Sequence, residues 1–339
     1  MMLDIKNLVK EVFLPAGESL PEHIVNAAEP VLLKGFINHW PLVNAGKQSQ
    51  DHAFEYINNA YNGQPISAYY AQPDANGRIF YNADFNGFNF QSATLDLSTV
   101  LNKLKEVRDL AQPPAVYVGS TNIHRHFPSL NSENNVTIEN AQPITNLWLG
   151  NKTKIAAHFD FPNNLACCAV GKRRFTLFPP EQVKNLYVGP KEFAPGGQDI
   201  SLVNFEQPDL TKHPKFQTAL DNALVANLEA GDALFIPSMW WHHVEGLTSF
   251  NVLVTHWWRN SPAFMGRPDN AIELAILSIR NLPLEQRQAW KALFEHYVFD
   301  HEDGDNAHIP EHAQGCLKQP MTEIEARKLR AKLLEQLKR

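Results

Sequence analysis

The stretch from residue 111 to about 260 constrains this chain more than any other. It is a succession of short aromatic and β-branched runs, AVYVGS, NLWLG, LACCAVGKRRFTLFPP, ALFIP and FNVLVTHWW, punctuated by glycine and proline. Such residues suit a pleated, half-buried surface, and the breaks between them read as turns. The runs do not alternate with helical patterns. An antiparallel barrel or sandwich is therefore expected in place of βαβ units.

The flanks read differently. Residues 1 to 110 mix short helical and strand signals: EPVLLKGFI at 29–37 reads as a buried strand and HWP at 39–41 as its break. From about residue 266 the pattern turns helical. Asp269 is placed to cap NAIELAILSIRNL, and LEQRQAWKALFEHYVF continues at helical spacing. Thr322 and Glu325 spell a T-x-x-E capping box for a last helix running to the C-terminus, with Ala326, Leu329, Leu333 and Leu337 on one stripe. HEDGDNAHIPEHAQG at 301–315 reads as a polar loop. The expected organisation is helices and strands of 1–110 packed on a barrel core of 111–265, then a helical region over 266–339. The apolar stripe either packs on the chain's own barrel or forms a homodimer interface.

Composition narrows the function classes. With 339 residues, 44% hydrophobic and 10% aromatic, the chain has the make-up of a globular protein with a large core. Its net charge of −6 argues against nucleic acid as a partner. Cys167 and Cys168 are adjacent and Cys316 is distant, so neither a disulfide framework nor zinc spacing is visible. MMLDIKNLVKEV lacks the apolar core of a signal peptide, and the sequence has no long apolar run. A reduced, cytoplasmic protein with no membrane partner is expected.

The chemistry concentrates in KIAAHFDFPNN (154–164). On a strand, alternate side chains share a face, so His158 and Asp160 point together and Phe159 points away. An imidazole and a carboxylate on one rigid strand make two-thirds of a 2-His-1-carboxylate facial triad, whose open positions suit non-haem iron. The third ligand is sought in GDALFIPSMWWHHVEGL (231–247), where His242 and His243 face opposite ways. Periodicity leaves the choice between them open. In GKRRFTLFPP (171–180), Arg173 shares its face with Phe175 and Leu177, while Lys172, Arg174 and Thr176 lie opposite. A cation on an apolar strand face needs an anion, either an internal acid or a bound dicarboxylate held in a bidentate fork. His124-Arg125-His126 is a second H-x-H, but it lies in a polar stretch without a nearby carboxylate and reads as loop. Cys167 and Cys168 read as inert core thiols.

With these residues in view, the chain resembles the JmjC-type cupin-like oxygenases, and particularly their branch that hydroxylates asparagine in hypoxia-inducible factor. AAHFDFPNN, GKRRFTLFPPEQ, GDALFIPSMWWHH and VTHWW carry the resemblance, in the family's order and separations. It implies a double-stranded β-helix, mainly β with added α, built as a cupin or jelly-roll barrel with an N-terminal mixed segment and C-terminal helices. It implies Fe(II) on His158, Asp160 and His242, and 2-oxoglutarate as cosubstrate. Asn164 matches the asparagine near the inner carboxylate. Arg173 stands where a lysine meets the far carboxylate, and Tyr117 where a tyrosine helps to hold it. Ile155 replaces a hydroxyl residue. Thr255 replaces an asparagine, with His256 beside it as an alternative contact.

The implied activity is O2-dependent hydroxylation of an unactivated C–H bond on a protein or peptide side chain. A small-molecule hydroxylase acting on an amino acid or secondary metabolite is the alternative. A redox-silent metal cupin would need the triad but not a carboxylate-binding wall. A dead binding module would be expected to have lost a ligand.

Overall fold

The computed structural model describes Leu3, residues 5–302 and residues 304–338. Expectations for the extreme N-terminus, for Asp303 in the polar loop and for the last residue of the final helix therefore fall partly outside the described residues. The chain divides into two compact units, residues 1–259 and 260–339.

The first unit holds β1 (Lys10–Phe13), β2 (Val31–Lys34), β3 (Ile66–Ala71), β4 (Arg78–Ile79), β5 (Phe90–Leu95), β6 (Ala115–Asn122) and β7 (Ile144–Gly150). These are followed by β8 (Lys154–His158), β9 (Asn163–Val170), β10 (Lys172–Phe178), β11 (Leu224–Glu229), β12 (Ala233–Ile236), β13 (Trp241–Gly246) and β14 (Asn251–Trp258). They form two sheets. One runs in the order β1-β2-β12-β9-β14-β7-β6-β3-β5, the other β11-β10-β13-β8-β4. Except for β1–β2 and β4–β8, the pairings are antiparallel, as the short runs without interleaved helices required. The architecture is a jelly roll.

Three apolar layers hold it. Between the sheets lie Ala166, Cys168, Phe175, Leu177, Leu228, Leu234, Val244 and Leu253. The opposite face of the larger sheet, with Leu147, Leu165, Cys167, Phe235 and Val254, is covered by helices at Pro41–Gln48, Gln50–Ala60 and Leu97–Val107. Phe178 and Trp241 turn the other way from the smaller sheet and pack against Phe205 and Phe216. β9 is consequently buried on both faces along its whole length, which is why LACCAV reads as a continuous apolar run. The N-terminal segment contributes β1 to β5 to the sheets themselves.

Two connections depend on glycine. Gly171 joins β9 to β10 at φ +80°, and a Cβ there would fall 2.5 Å from the Phe250 carbonyl oxygen. Gly231, before β12 at φ +111°, lies against Asn38.

The second unit consists of helices Pro268–Ser278, Leu284–Phe294 and Glu323–Leu337 joined by turns. The second continues as a π turn over Glu295–Phe299. The Thr322–Glu325 capping box forms, with both reciprocal bonds present. Asp269 does not cap its helix. Pro268 takes the first helical position, Arg267 becomes the N-cap, and Asp269 sits in the first turn 3.0 Å from the Arg267 guanidinium. No described helix is long and apolar enough to cross a membrane.

Candidate active site

Strand pairing builds the site. β8 and β13 are antiparallel with His158 directly opposite His242, so both rings leave the same face of the smaller sheet, 4.3 Å apart between centroids. Asp160 lies two residues past His158, just beyond the strand end. Its main-chain carbonyl accepts from Met239 N–H at 2.9 Å, and the neighbouring Phe161 carbonyl accepts from the Ser238 hydroxyl at 2.5 Å. The loop between β12 and β13 thus fixes the carboxylate against the two imidazoles. One ligand atom from each of His158, Asp160 and His242 lies within 4.8 Å of the others, and no other such cluster of three occurs among the described residues. Phe159 turns outward onto Trp241, at 4.9 Å edge-to-face.

The tautomers are set by the backbone. His158 Nδ1 lies 2.9 Å from the Ala156 carbonyl and His242 Nδ1 3.0 Å from that of Trp240. A carbonyl only accepts, so each Nδ1 carries the proton and each Nε2 presents a lone pair to the shared point. Burial, reinforced by the neighbouring His158, pushes the His242 pKa down to about 4, which keeps the ring neutral and able to ligate. Gln198 donates to Asp160 Oδ1 at 3.4 Å, while Oδ2 lies 3.7 Å from His242 Nε2.

His243 faces away. Its ring packs on Phe205 at 4.5 Å, and burial pushes its pKa down to about 3. Strand alternation, which could not choose between the two histidines in the sequence, puts His242 on the face of His158 and Asp160.

The cluster opens into a cavity of about 620 Å3 within the first unit, lined from both sheets. Arg173, Asn164, Tyr117, Thr255 and Ile155 all face it. Arg173 is 3% exposed, and among the described residues no carboxylate pairs with it. The internal salt bridge that would have explained it is therefore not there. Its Nε has no hydrogen-bond partner, and burial pulls its pKa below the ordinary arginine value. Asn164 Oδ1 is likewise buried and unpartnered. Burial raises the Tyr117 pKa, holding the phenol as a neutral donor. Thr255 accepts from Trp148 Nε1 at 2.9 Å. His256 points through the other face of β14 toward Trp40 and Cys167, so it cannot stand in for Thr255.

Trp148, Trp257, Tyr69 and Gln198 complete the wall and were not singled out from the sequence. Tryptophans in an apolar strand look like core, and Gln198 lies in a polar Gly-Gly stretch with no periodic signal. The second H-x-H also differs from expectation. Its residues form a short helix, Ile123–His126, in which Asn122 Oδ1 accepts from Arg125 N–H. Arg125 and His126 line the cavity, Arg125 from an exposed position and His126 buried, while His124 is exposed and does not line it. Cys167 and Cys168 are fully buried, and burial raises both thiol pKa values, that of Cys168 to about 12.

The chain's own sequence places this site in a family. Residues 17–264 match the cupin-like domain model. The chain belongs to the cupin-like, JmjC-type domain family. It is 24% identical to mouse tRNA wybutosine-synthesizing protein 5 over 273 residues, covering 73% of this chain and 76% of that protein. It is 24% identical to Xenopus tropicalis Lysine-specific demethylase 8 over 271 residues, 76% of this chain and 54% of the relative. With JmjC domain-containing protein D of Dictyostelium discoideum it shares 36% identity over 126 residues, 36% of this chain and 25% of the relative. Family membership supports an Fe(II)- and 2-oxoglutarate-type oxygenase at the level of the family.

Proposed function

We propose that this protein is an Fe(II)- and 2-oxoglutarate-dependent dioxygenase that hydroxylates an unactivated C–H bond, on a protein or peptide side chain. The observation that carries it is Arg173: a buried guanidinium without an acid partner, in the same cavity as a two-histidine, one-carboxylate cluster. A redox-silent metal cupin has no use for that charge, whereas a dicarboxylate cosubstrate neutralises it.

His158, Asp160 and His242 would hold the metal through Nε2, a carboxylate oxygen and Nε2. Bound there, iron and 2-oxoglutarate supply the oxidising power that O2 and decarboxylation of the cosubstrate provide. The remaining roles belong to the chain. Arg173 and Tyr117 would hold one carboxylate of the cosubstrate, and Asn164 and Thr255 would meet the other. Trp148 and Trp257 limit water, and Gln198 steadies Asp160. None of these groups has to act as a general acid or base. We also propose that the protein works as a cytoplasmic homodimer joined through the second unit, and that neither nucleic acid nor a membrane takes part.

Anaerobic addition of Fe(II) and 2-oxoglutarate should give a weak visible charge-transfer band, and air should then release succinate. Both signals should vanish in His158→Ala. Arg173→Ala should weaken 2-oxoglutarate binding by about 10-fold or more, since it removes a charge-assisted bidentate contact. A wild-type chain giving neither band nor succinate would refute the assignment. A protein substrate should appear as a lysate peptide that gains one oxygen with the wild-type enzyme and not with His158→Ala. The same gain confined to small metabolites would point to the alternative hydroxylase.

A further inference from the structure

The oxygenase reading leaves one charged group at the cavity unused. Arg125 reaches the mouth from the short helix after β6, and several contacts pin it there. β6 carries a register shift between Val118 and Thr121, with Ser120 at φ +37°. Asn122 caps the helix through the Arg125 N–H, and Asn62 Nδ2 donates to the Arg125 carbonyl at 2.7 Å. Arg125 Nε donates to Gln64 Oε1 at 3.1 Å. No acceptor among the described residues meets its two terminal amino groups, and it forms no salt bridge there.

The charges on the lining are uneven. Arg125, Arg173 and Asp160 are the charged residues among those that line the cavity. Asp160 belongs to the metal cluster, and a dicarboxylate cosubstrate would match Arg173. Arg125 remains as the unmatched charge facing whatever enters. Beside it the aromatic rings form a wall: Tyr69 on Tyr117 at 6.2 Å and 28°, Tyr117 on Trp148 at 6.4 Å and 29°, then Trp148 edge-on to Trp257. Rings stacked in series offer a broad flat face on which an apolar body can pack. An ammonium or guanidinium entering here would meet Arg125 with no free carboxylate to offset it.

We infer that the substrate of this enzyme carries a carboxylate or another anionic group on an apolar body, and that Arg125 is the residue that recognises it. The cavity disfavours lysine and arginine side chains. This rests on the oxygenase reading above.

Three ligands with one aromatic body test it: 3-phenylpropionate, 3-phenylpropionamide and 3-phenylpropylamine. Each is titrated calorimetrically into the full chain loaded with Mn(II), which replaces iron so that no turnover occurs, and saturated with 2-oxoglutarate. The carboxylate should bind most tightly and the amine most weakly. Arg125→Gln should cost the carboxylate about 10-fold in affinity relative to the amide, the loss expected for a hydrogen-bonded charge. Arg125→Glu should reverse the order in favour of the amine. No binding of 3-phenylpropionate, equal binding of all three probes, or an equal loss for all three in Arg125→Gln each overturns the proposal. Failure of 2-oxoglutarate itself to bind the Mn(II)-loaded chain rejects the oxygenase reading, and this inference with it. Normal cosubstrate binding without an anion preference rejects the Arg125 assignment alone.

Discussion

Main-chain carbonyls decide which imidazole nitrogens are free to take a metal. Ala156 and Trp240 each hold a histidine Nδ1, so the lone pairs of His158 and His242 converge while His243, one residue on, points to the other face of the strand and packs on Phe205. His242→Ala should therefore weaken Mn(II) or Fe(II) binding by at least on the order of 100-fold, more than loss of an outer partner costs. His243→Phe should bind metal like the wild type in the same calorimetric titration, and equal losses in the two variants would break the assignment. His158 and Asp160 were legible because strand parity acts on neighbours in sequence. The choice of His242 needed the cross-strand register with His158, which no local pattern encodes. Gln198 was invisible for the same reason: a loop more than thirty residues away brings it to Asp160, and only the folded chain makes them neighbours.

Among the elements, the β9–β10 hairpin does the most for the site, since it carries Asn164 at one end and Arg173 just past its turn. That turn is Gly171, at positive φ with the Phe250 carbonyl and the Thr248 hydroxyl where a Cβ would go. Gly171→Ala should cost about 2–3 kcal/mol, from a strained backbone and from displaced neighbours. A denaturant midpoint unchanged from wild type would show that the hairpin relaxes freely. Strands proved easier to read than helix starts. The runs of 111–260 name most of the barrel because their composition matches a half-buried pleat. Asp269 misled because Pro268, which fixes the first helical φ, outranks a side-chain cap one residue later. The helix at 123–126 was hidden because four residues are too few to show a period.

At the level of the whole molecule, three buried histidines tie stability to pH. Burial depresses His242 to about 4, His243 to about 3 and His256 to about 4. In the unfolded chain each returns to about 6.5 and takes up a proton that the fold refuses. Above that value these groups impose no penalty. Between roughly pH 6 and 4 the metal-free chain should lose stability at up to about 4 kcal/mol per pH unit, three protons' worth. Chemical denaturation across that window checks the slope, and a flat profile would mean that the rings are solvated. Assembly is the other property at this scale. Glu323–Leu337 buries only Ala326 of its expected stripe, and Leu333, Leu334 and Leu337 stand 37%, 57% and 55% exposed. An uncovered apolar row on a capped helix is the feature that the proposed homodimer would bury. The double substitution Leu334→Glu and Leu337→Glu lies on an exposed surface and should leave thermal unfolding of the first unit within about 0.5 kcal/mol. Light scattering should then report a dimer for the wild type and a monomer for the variant. A variant that remains dimeric would move the interface off this helix.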